Sequence, residues 1–158
     1  LSMSGPWHGA GAVTRLREVC ADDGPANAPL RELANTLHFC VGKVPSHALQ
    51  TIVPDYPGLL DLVDVARPYV TAVMCGDTPI GIPGPVSPGL AAIGHVFNLT
   101  LPHDGLLELS SCQAVKDPCV WGRTPESPFY YGSMNHADTS GRNGDFFHKA
   151  LQPLEWVK

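Results

Sequence analysis

Tyr69-Val70-Thr71-Ala72-Val73-Met74 is the stretch on which the fold turns. It is rich in β-branched and apolar residues, begins after Pro68 and stops before Gly76, which is the signature of a buried strand. Just upstream, residues 58–66 read as a short helix, Gly-Leu-Leu-Asp-Leu-Val-Asp-Val-Ala, closed by Arg67-Pro68. Further upstream, residues 29–41 read as an amphipathic helix. Pro29 suits its first turn, and Leu30, Leu33, Leu37 and Cys40/Val41 fall on one face. Downstream, residues 76–94 hold five Gly and four Pro, which predicts a long loop.

Working outward, Leu1 to Ser4 reads as the end of a buried strand that stops at Gly5-Pro6. His95 to Leu101 is expected to be extended up to Pro102. Phe129 to Tyr131 reads as a further strand, followed by a polar loop. Asn143-Gly144-Asp145 is expected to open a helix, with Asp145 as N-cap and Phe146, Phe147, Ala150, Leu151 and Leu154 on its apolar side. Strands separated by helices indicate an α/β protein with a mostly parallel sheet. Three or four strands make a thin sheet, and a parallel sheet needs cover on both faces. The chain is therefore expected to form one flank of a larger sheet.

Composition narrows the function classes. The chain has 158 residues, 44% of them apolar, and a formal net charge of −5. Its basic residues are scattered, with no stripe or tail to follow a phosphate backbone, so nucleic acid is not an expected partner. No apolar run reaches the roughly 20 residues of a membrane span. The apolar start at Leu1 reads as a cut, with any targeting signal upstream. Cys20, Cys40, Cys75, Cys112 and Cys119 show no metal-finger spacing. They fit either free thiols or one or two disulfides with an odd thiol, and Cys112 and Cys119 are close enough in sequence to pair.

Two segments carry chemistry: Pro102-His103-Asp104-Gly105-Leu106-Leu107 and Gly132-Ser133-Met134-Asn135-His136-Ala137-Asp138. In open α/β sheets reactive groups lie in loops beyond the C-terminal ends of strands. Asp104 and His136 are 32 positions apart, enough for an intervening element and a return strand. A carboxylate beside an imidazole fixes its tautomer and stabilises the imidazolium that forms when the ring takes a proton. Asp77, directly after the Tyr69–Met74 strand, is the rival acid.

Asp104-Gly105-Leu106-Leu107, then Ser110-Ser111-Cys112, then Met134-Asn135-His136-Ala137-Asp138, resembles the end of bacterial triacylglycerol lipases of the α/β-hydrolase fold. Ser4-Gly5-Pro6-Trp7-His8-Gly9 is similar to their Pro-His-x-Gly turn, and Pro54-Asp55-Tyr56-Pro57-Gly58-Leu59-Leu60 to a motif in esterase cap regions. The resemblance touches most of the chain in patches and is strong over 102–113 and 129–138. It implies the C-terminal part of an α/β-hydrolase sheet with flanking helices, with residues 20–68 as a cap or lid lining an acyl pocket. It makes Asp104 the triad acid and His136 the base, acting on an ester or lipid substrate. Asp138 matches a residue that helps hold a structural calcium ion in such lipases. Arg142 stands where their glutamine ligand falls, and a cation there repels calcium, so no cofactor is expected.

A nucleophile elbow has the form Gly-x-Ser-x-Gly, and no serine of this chain has glycine at both −2 and +2. The resemblance places the elbow upstream of Leu1, so the chain alone is expected to be inactive. A thioesterase or amidase shares the triad. A metal-dependent hydrolase using His103, Asp104, His136 and Asp138 is a different solution. A non-catalytic secreted or interaction domain is a third. Of the other histidines, His8 is expected to fix a turn and His38 to sit half-buried on its helix. His47 and His148 read as surface residues, and His95 and His103 flank the site. Asn98-Leu99-Thr100 fits a glycosylation sequon, and a secreted location is favoured.

Overall fold

A computed structural model describes residues 1–36 and 38–158. Leu37, placed on an apolar helix face by the sequence pattern, lies outside the described residues. In chain order the elements are β1 (Ser2–Met3), α1 (Gly11–Ala21), α2 (Ala28–Thr36), β2 (Cys40–Val41), β3 (Val44–Pro45), α3 (His47–Gln50) and α4 (Leu59–Ala66). There follow β4 (Val73–Gly76), α5 (Ser87–Val96), α6 (Leu109–Gln113), β5 (Phe129–Gly132) and α7 (Pro153–Trp156). The result is α/β in character: a three-stranded parallel sheet in the order β1-β4-β5, and a separate antiparallel hairpin of β2 and β3.

The central strand starts later than its composition suggests. Arg67–Tyr69 forms a 3-10 turn with Pro68 in its first turn, and Tyr69 stays exposed. The four residues of β4 are all buried. Successive side chains of a strand point to opposite faces, and the packing follows that alternation. Val73 and Cys75 join Ala10 and Val13 beside α1, together with Leu107, Leu109 and Val115. Met74 packs on the other face with Tyr130, Met134 and Trp156. β4 is thus covered on both sides, as a parallel strand requires. At its end, a Cβ on Gly76 would lie 2.2 Å from the Met134 carbonyl oxygen. Only glycine lets the segment after β5 pass this closely over the end of β4.

Several expectations are corrected. β1 is an edge strand paired only with β4, and Leu1 and Met3 are exposed rather than buried. α2 is described over Ala28–Thr36; His38 adopts a left-handed backbone and is exposed, so it is neither helical nor half-buried. Cys40 and Val41 then enter the hairpin through the Gly42-Lys43 turn. The loop after β4 runs only to Val86, because Pro88 sits in the first turn of α5. His95 and Val96 belong to α5, and Asn98 turns the chain with a positive φ, so 95–101 is not extended. The helix expected after Asp145 is broken into a 3-10 turn at Lys149–Leu151 and α7, since Pro153 has no N–H to continue a helix. Asp145 instead accepts from the Leu154 N–H at 2.7 Å.

α1 has no counterpart in the sequence reading. It begins in Gly9-Ala10-Gly11 without a side-chain cap of its own. Its first N–H, on Gly11, donates to the Glu108 carboxylate, 97 residues away. The cysteines form two disulfides. Cys20–Cys40 ties α1 to the hairpin, and Cys75–Cys112 ties β4 to α6. Cys112 therefore pairs with Cys75 and not with Cys119, which is free and exposed. Among the described residues, no helix is long and apolar enough to cross a membrane.

Candidate active site

Asp104 sits in the turn between α5 and α6. Its Oδ1 accepts the backbone N–H groups of Leu106 at 3.0 Å and Leu107 at 2.8 Å. The Asp104 N–H donates to the Leu107 carbonyl at 3.0 Å, which closes the turn. The Cys75–Cys112 bridge fastens the next helix, α6, to the central strand. A carboxylate held this way is fully buried yet keeps Oδ2 free for another partner.

That partner is His136, whose Nδ1 lies 2.8 Å from Asp104 Oδ2. The backbone N–H of His136 also donates to the Asp104 carbonyl, at 2.9 Å. With Nδ1–H donating to the carboxylate, the neutral ring keeps its lone pair on Nε2. Nε2 makes no hydrogen bond to the described residues. Burial lowers the affinity of the ring for a second proton. The hydrogen bond from Asp104 and its negative charge act the other way and prevail, so the pKa of His136 stands above its ordinary 6.5.

The residues flanking His136 anchor it. Asn135 is fully buried; its Oδ1 accepts the N–H groups of Ala137 and Asp138, and its Nδ2 donates to the Ile80 carbonyl at 3.0 Å. Asp138 Oδ2 accepts the N–H groups of Asn135 and Ile82, each at 2.8 Å, and Oδ1 accepts from Asn143 Nδ2 at 2.6 Å. Thr139 Oγ1 donates to the His136 carbonyl at 3.0 Å and accepts from Ser4 Oγ at 2.9 Å. The histidine loop is thereby pinned to β1, to the 80–82 segment and to itself.

The other sequence candidates lie elsewhere. Asp77 accepts from an Arg123 guanidinium nitrogen at 2.9 Å, and the guanidinium lies 4.5 Å from the Tyr131 ring centre. Burial raises the Asp77 pKa, partly opposed by Arg123. Asp77 is therefore engaged away from His136. His103 is buried against Gly94 of α5, and its Nδ1 accepts from the Gly105 N–H. His47, His95 and His148 are exposed. His8 is exposed too, and its backbone N–H donates to Ser111 Oγ.

His103, Asp104, His136 and Asp138 do not converge: among the described residues no three His, Cys, Asp or Glu side chains are grouped as a metal would need. A calcium ion needs a shell of oxygen ligands. The atoms directed at the Asp138 carboxylate are three N–H donors, so the residues around it do not fit that ion.

His136 lies on the wall of an apolar cleft of about 280 Å³. Val13 and Leu16 of α1, Leu49, Ile52, Leu106 and Leu107 form much of the rest, and His136 is the one ionisable group among the lining residues. Ser4 shares this cleft. It is buried directly after β1 and has a φ of 43°, which is uncommon for a non-glycine residue. Its hydroxyl is committed to Thr139 rather than to His136. Sequence reading overlooked Ser4, Asn135 and Thr139 as supports, and α1 as a wall. The Ser-Gly-Pro turn after an extended stretch was the available signal for Ser4.

No family model, curated protein or solved structure matches this chain.

Proposed function

We propose that this chain supplies the acid and the histidine of a serine-type hydrolase that cleaves carboxylic esters of apolar acyl groups. The observation that carries the reading is the buried Asp104 carboxylate on Nδ1 of a histidine that faces an apolar cleft. The attacking serine comes from a part of the protein outside these 158 residues. Its hydroxyl oxygen bonds to the acyl carbon as His136 Nε2 takes the proton. Asp104 holds the ring in the required tautomer and stabilises the imidazolium. His136 then passes that proton to the departing alkoxide, leaving an acyl-enzyme. Water, deprotonated by the same nitrogen, releases the acid and restores the serine.

The mixed-element region 20–68 acts as a cap: Phe39, Leu49 and Ile52 from it line the cleft. The two disulfides suit an oxidising compartment, and a secreted enzyme fits them. A phosphonate ester that captures activated serines tests the reading on protein that includes the segment preceding Leu1. One equivalent of label on a serine of that segment is expected, and His136→Ala abolishes it. Labelling unchanged by His136→Ala contradicts the proposal. Label on Ser4 would place the nucleophile within this chain.

A further inference from the structure

His136 lines two clefts. Besides the apolar one it borders a second, of about 390 Å³. Met3, Val86, Leu90 and Leu106 give this second cleft an apolar side, and Ser140 and Arg142 a polar one. No carboxylate lines it. Its hydroxyl protons are already committed: Ser140 Oγ donates to the Ala137 carbonyl at 2.6 Å, and Thr139 Oγ1 to the His136 carbonyl at 3.0 Å. Arg142, which is exposed, is the charged donor of the cleft.

Arg142 also stands apart from the other cations of the chain. Every other arginine and lysine pairs with a carboxylate, except Lys116, which donates to the Arg67 carbonyl. Among the described residues Arg142 makes neither kind of contact. Asp138, in the same loop, is satisfied without it by three N–H donors. The backbone of Arg142 is nevertheless held on both sides. Gly141 has a φ of 74° and donates its N–H to the Asp138 carbonyl at 2.8 Å, and Asn143 Nδ2 donates to Asp138 Oδ1 at 2.6 Å. Asp138 also accepts the Asn135 N–H, next to His136, so the arginine and the histidine share one support.

We infer that the second cleft receives the alcohol part of the ester, and that Arg142 binds an anionic oxygen group, a carboxylate or a phosphate, carried by that alcohol. This rests on the ester-hydrolase reading of His136. When the bond between the acyl carbon and the leaving oxygen breaks, His136 gives its proton to that oxygen, so the alcohol leaves from beside this ring. The first cleft, apolar apart from His136, suits the acyl group. The second joins an apolar side to an unpaired guanidinium, which suits an alcohol with a short stem and a charged end. A guanidinium presents a planar fork of N–H donors that meets two oxygens of a carboxylate or phosphate at once. The chain carries a net charge of −5 and repels anions in general, so the attraction is local to this cleft. Arg142 thereby becomes the residue that selects the leaving group.

The test is hydrolysis of matched esters by protein that includes the segment preceding Leu1. One pair is p-carboxyphenyl butyrate against p-carbamoylphenyl butyrate; the other is butyryl glycerol phosphate against butyryl glycerol. Each rate is divided by that of hydroxide-catalysed hydrolysis, which removes the intrinsic reactivity of the leaving group. The anionic member of at least one pair is expected to be preferred about three- to fivefold in kcat/KM, the size that an exposed ion pair supports. The pair that shows it tells carboxylate from phosphate. Arg142→Gln is expected to bring that ratio near one through the KM of the anionic ester, Arg142→Glu to reverse it, and added salt to shrink it. Lys116→Gln removes the same charge outside the cleft and is expected to leave the ratio as it is. A ratio that is the same in the wild type, Arg142→Gln and Arg142→Glu overturns the inference while ester hydrolysis stands. A preference lowered as much by Lys116→Gln as by Arg142→Gln reflects net charge alone and overturns it too. Cleavage of neither pair overturns the ester reading and the inference with it.

Discussion

Asp104 Oδ2 lies 2.8 Å from His136 Nδ1, while the His136 N–H donates to the Asp104 carbonyl at 2.9 Å. One residue thus fixes both the backbone and the ring of the other. The side-chain contact sets the tautomer, and the backbone contact removes the freedom by which the ring could swing away. Such double attachment is what a base needs if its free nitrogen is to meet a substrate in one orientation.

Removal of the carboxylate charge should show in the titration of the ring. In Asp104→Asn the burial of His136 persists while the opposing hydrogen bond to a charged group is lost. The His136 pKa, followed by NMR, is expected to fall from above 6.5 to below it. Asp77→Asn is expected to leave that titration where it was, because Asp77 is engaged by Arg123. A shift caused by Asp77→Asn alone would move the acid assignment to Asp77.

The same pair makes stability depend on pH. A histidine with a raised folded-state pKa contributes stability that is complete below its unfolded pKa of about 6.5 and is lost as pH rises through the higher folded value. Denaturation of the wild type at successive pH values should show this loss, and His136→Gln should flatten the profile in that window. Stability that grows in the wild type, relative to His136→Gln, as pH rises through the same interval would contradict the assigned direction.

Gly81 has a φ of +58°, and a Cβ there would lie 1.9 Å from Asp138 Oδ2 and 2.5 Å from the Asn135 nitrogen. Gly81→Ala must therefore displace the residues on both sides of His136. A loss of about 2–4 kcal/mol in denaturant unfolding is expected, from the left-handed backbone and the broken network together. The His136 resonance should shift as well. A variant with wild-type stability and an unmoved resonance would show that the network does not hold the loop.

Thiol chemistry checks the cross-links. The unreduced protein should expose one reactive thiol, Cys119, to a maleimide reagent. Replacing Cys75 and Cys112 together by alanine opens a bridge spanning 37 residues. By chain entropy this costs up to about 4 kcal/mol. Five reactive thiols in the oxidised protein would refute both bridges.

The sequence reveals the parts of this molecule whose causes are local. β5 is legible as an aromatic run before a polar loop, and α4 as an apolar period closed by Arg67-Pro68. Asp104 and His136 are legible through the Asp-Gly-Leu-Leu and Asn-His-Ala-Asp segments that carry the resemblance, although the extended stretch expected before Asp104 is in fact the end of α5 and a turn at Asn98. What escapes is what distant residues decide. Glu108 caps α1 from 97 residues away, so Gly9-Ala10-Gly11 has the look of a loop. The Cys20–Cys40 bridge and the hairpin take Cys40 and Val41, which the apolar pattern assigns to the face of α2. Pro88 marks a helix start within a segment whose glycines and prolines otherwise suggest continuous loop. The anchoring of His136 by Asn135, Thr139 and Ser4 is likewise a product of packing across the sheet end.

The most direct measurement is ester hydrolysis by protein that includes the segment preceding Leu1, compared with its His136→Ala and Asp104→Asn variants. A p-nitrophenyl ester of a medium-chain acid supplies the readout. A fall in kcat of roughly 10⁴-fold is expected for Asp104→Asn, which loses the tautomer, and a loss at least as large for His136→Ala. Turnover that survives His136→Ala within a factor of a few would contradict the assignment of this histidine as the base.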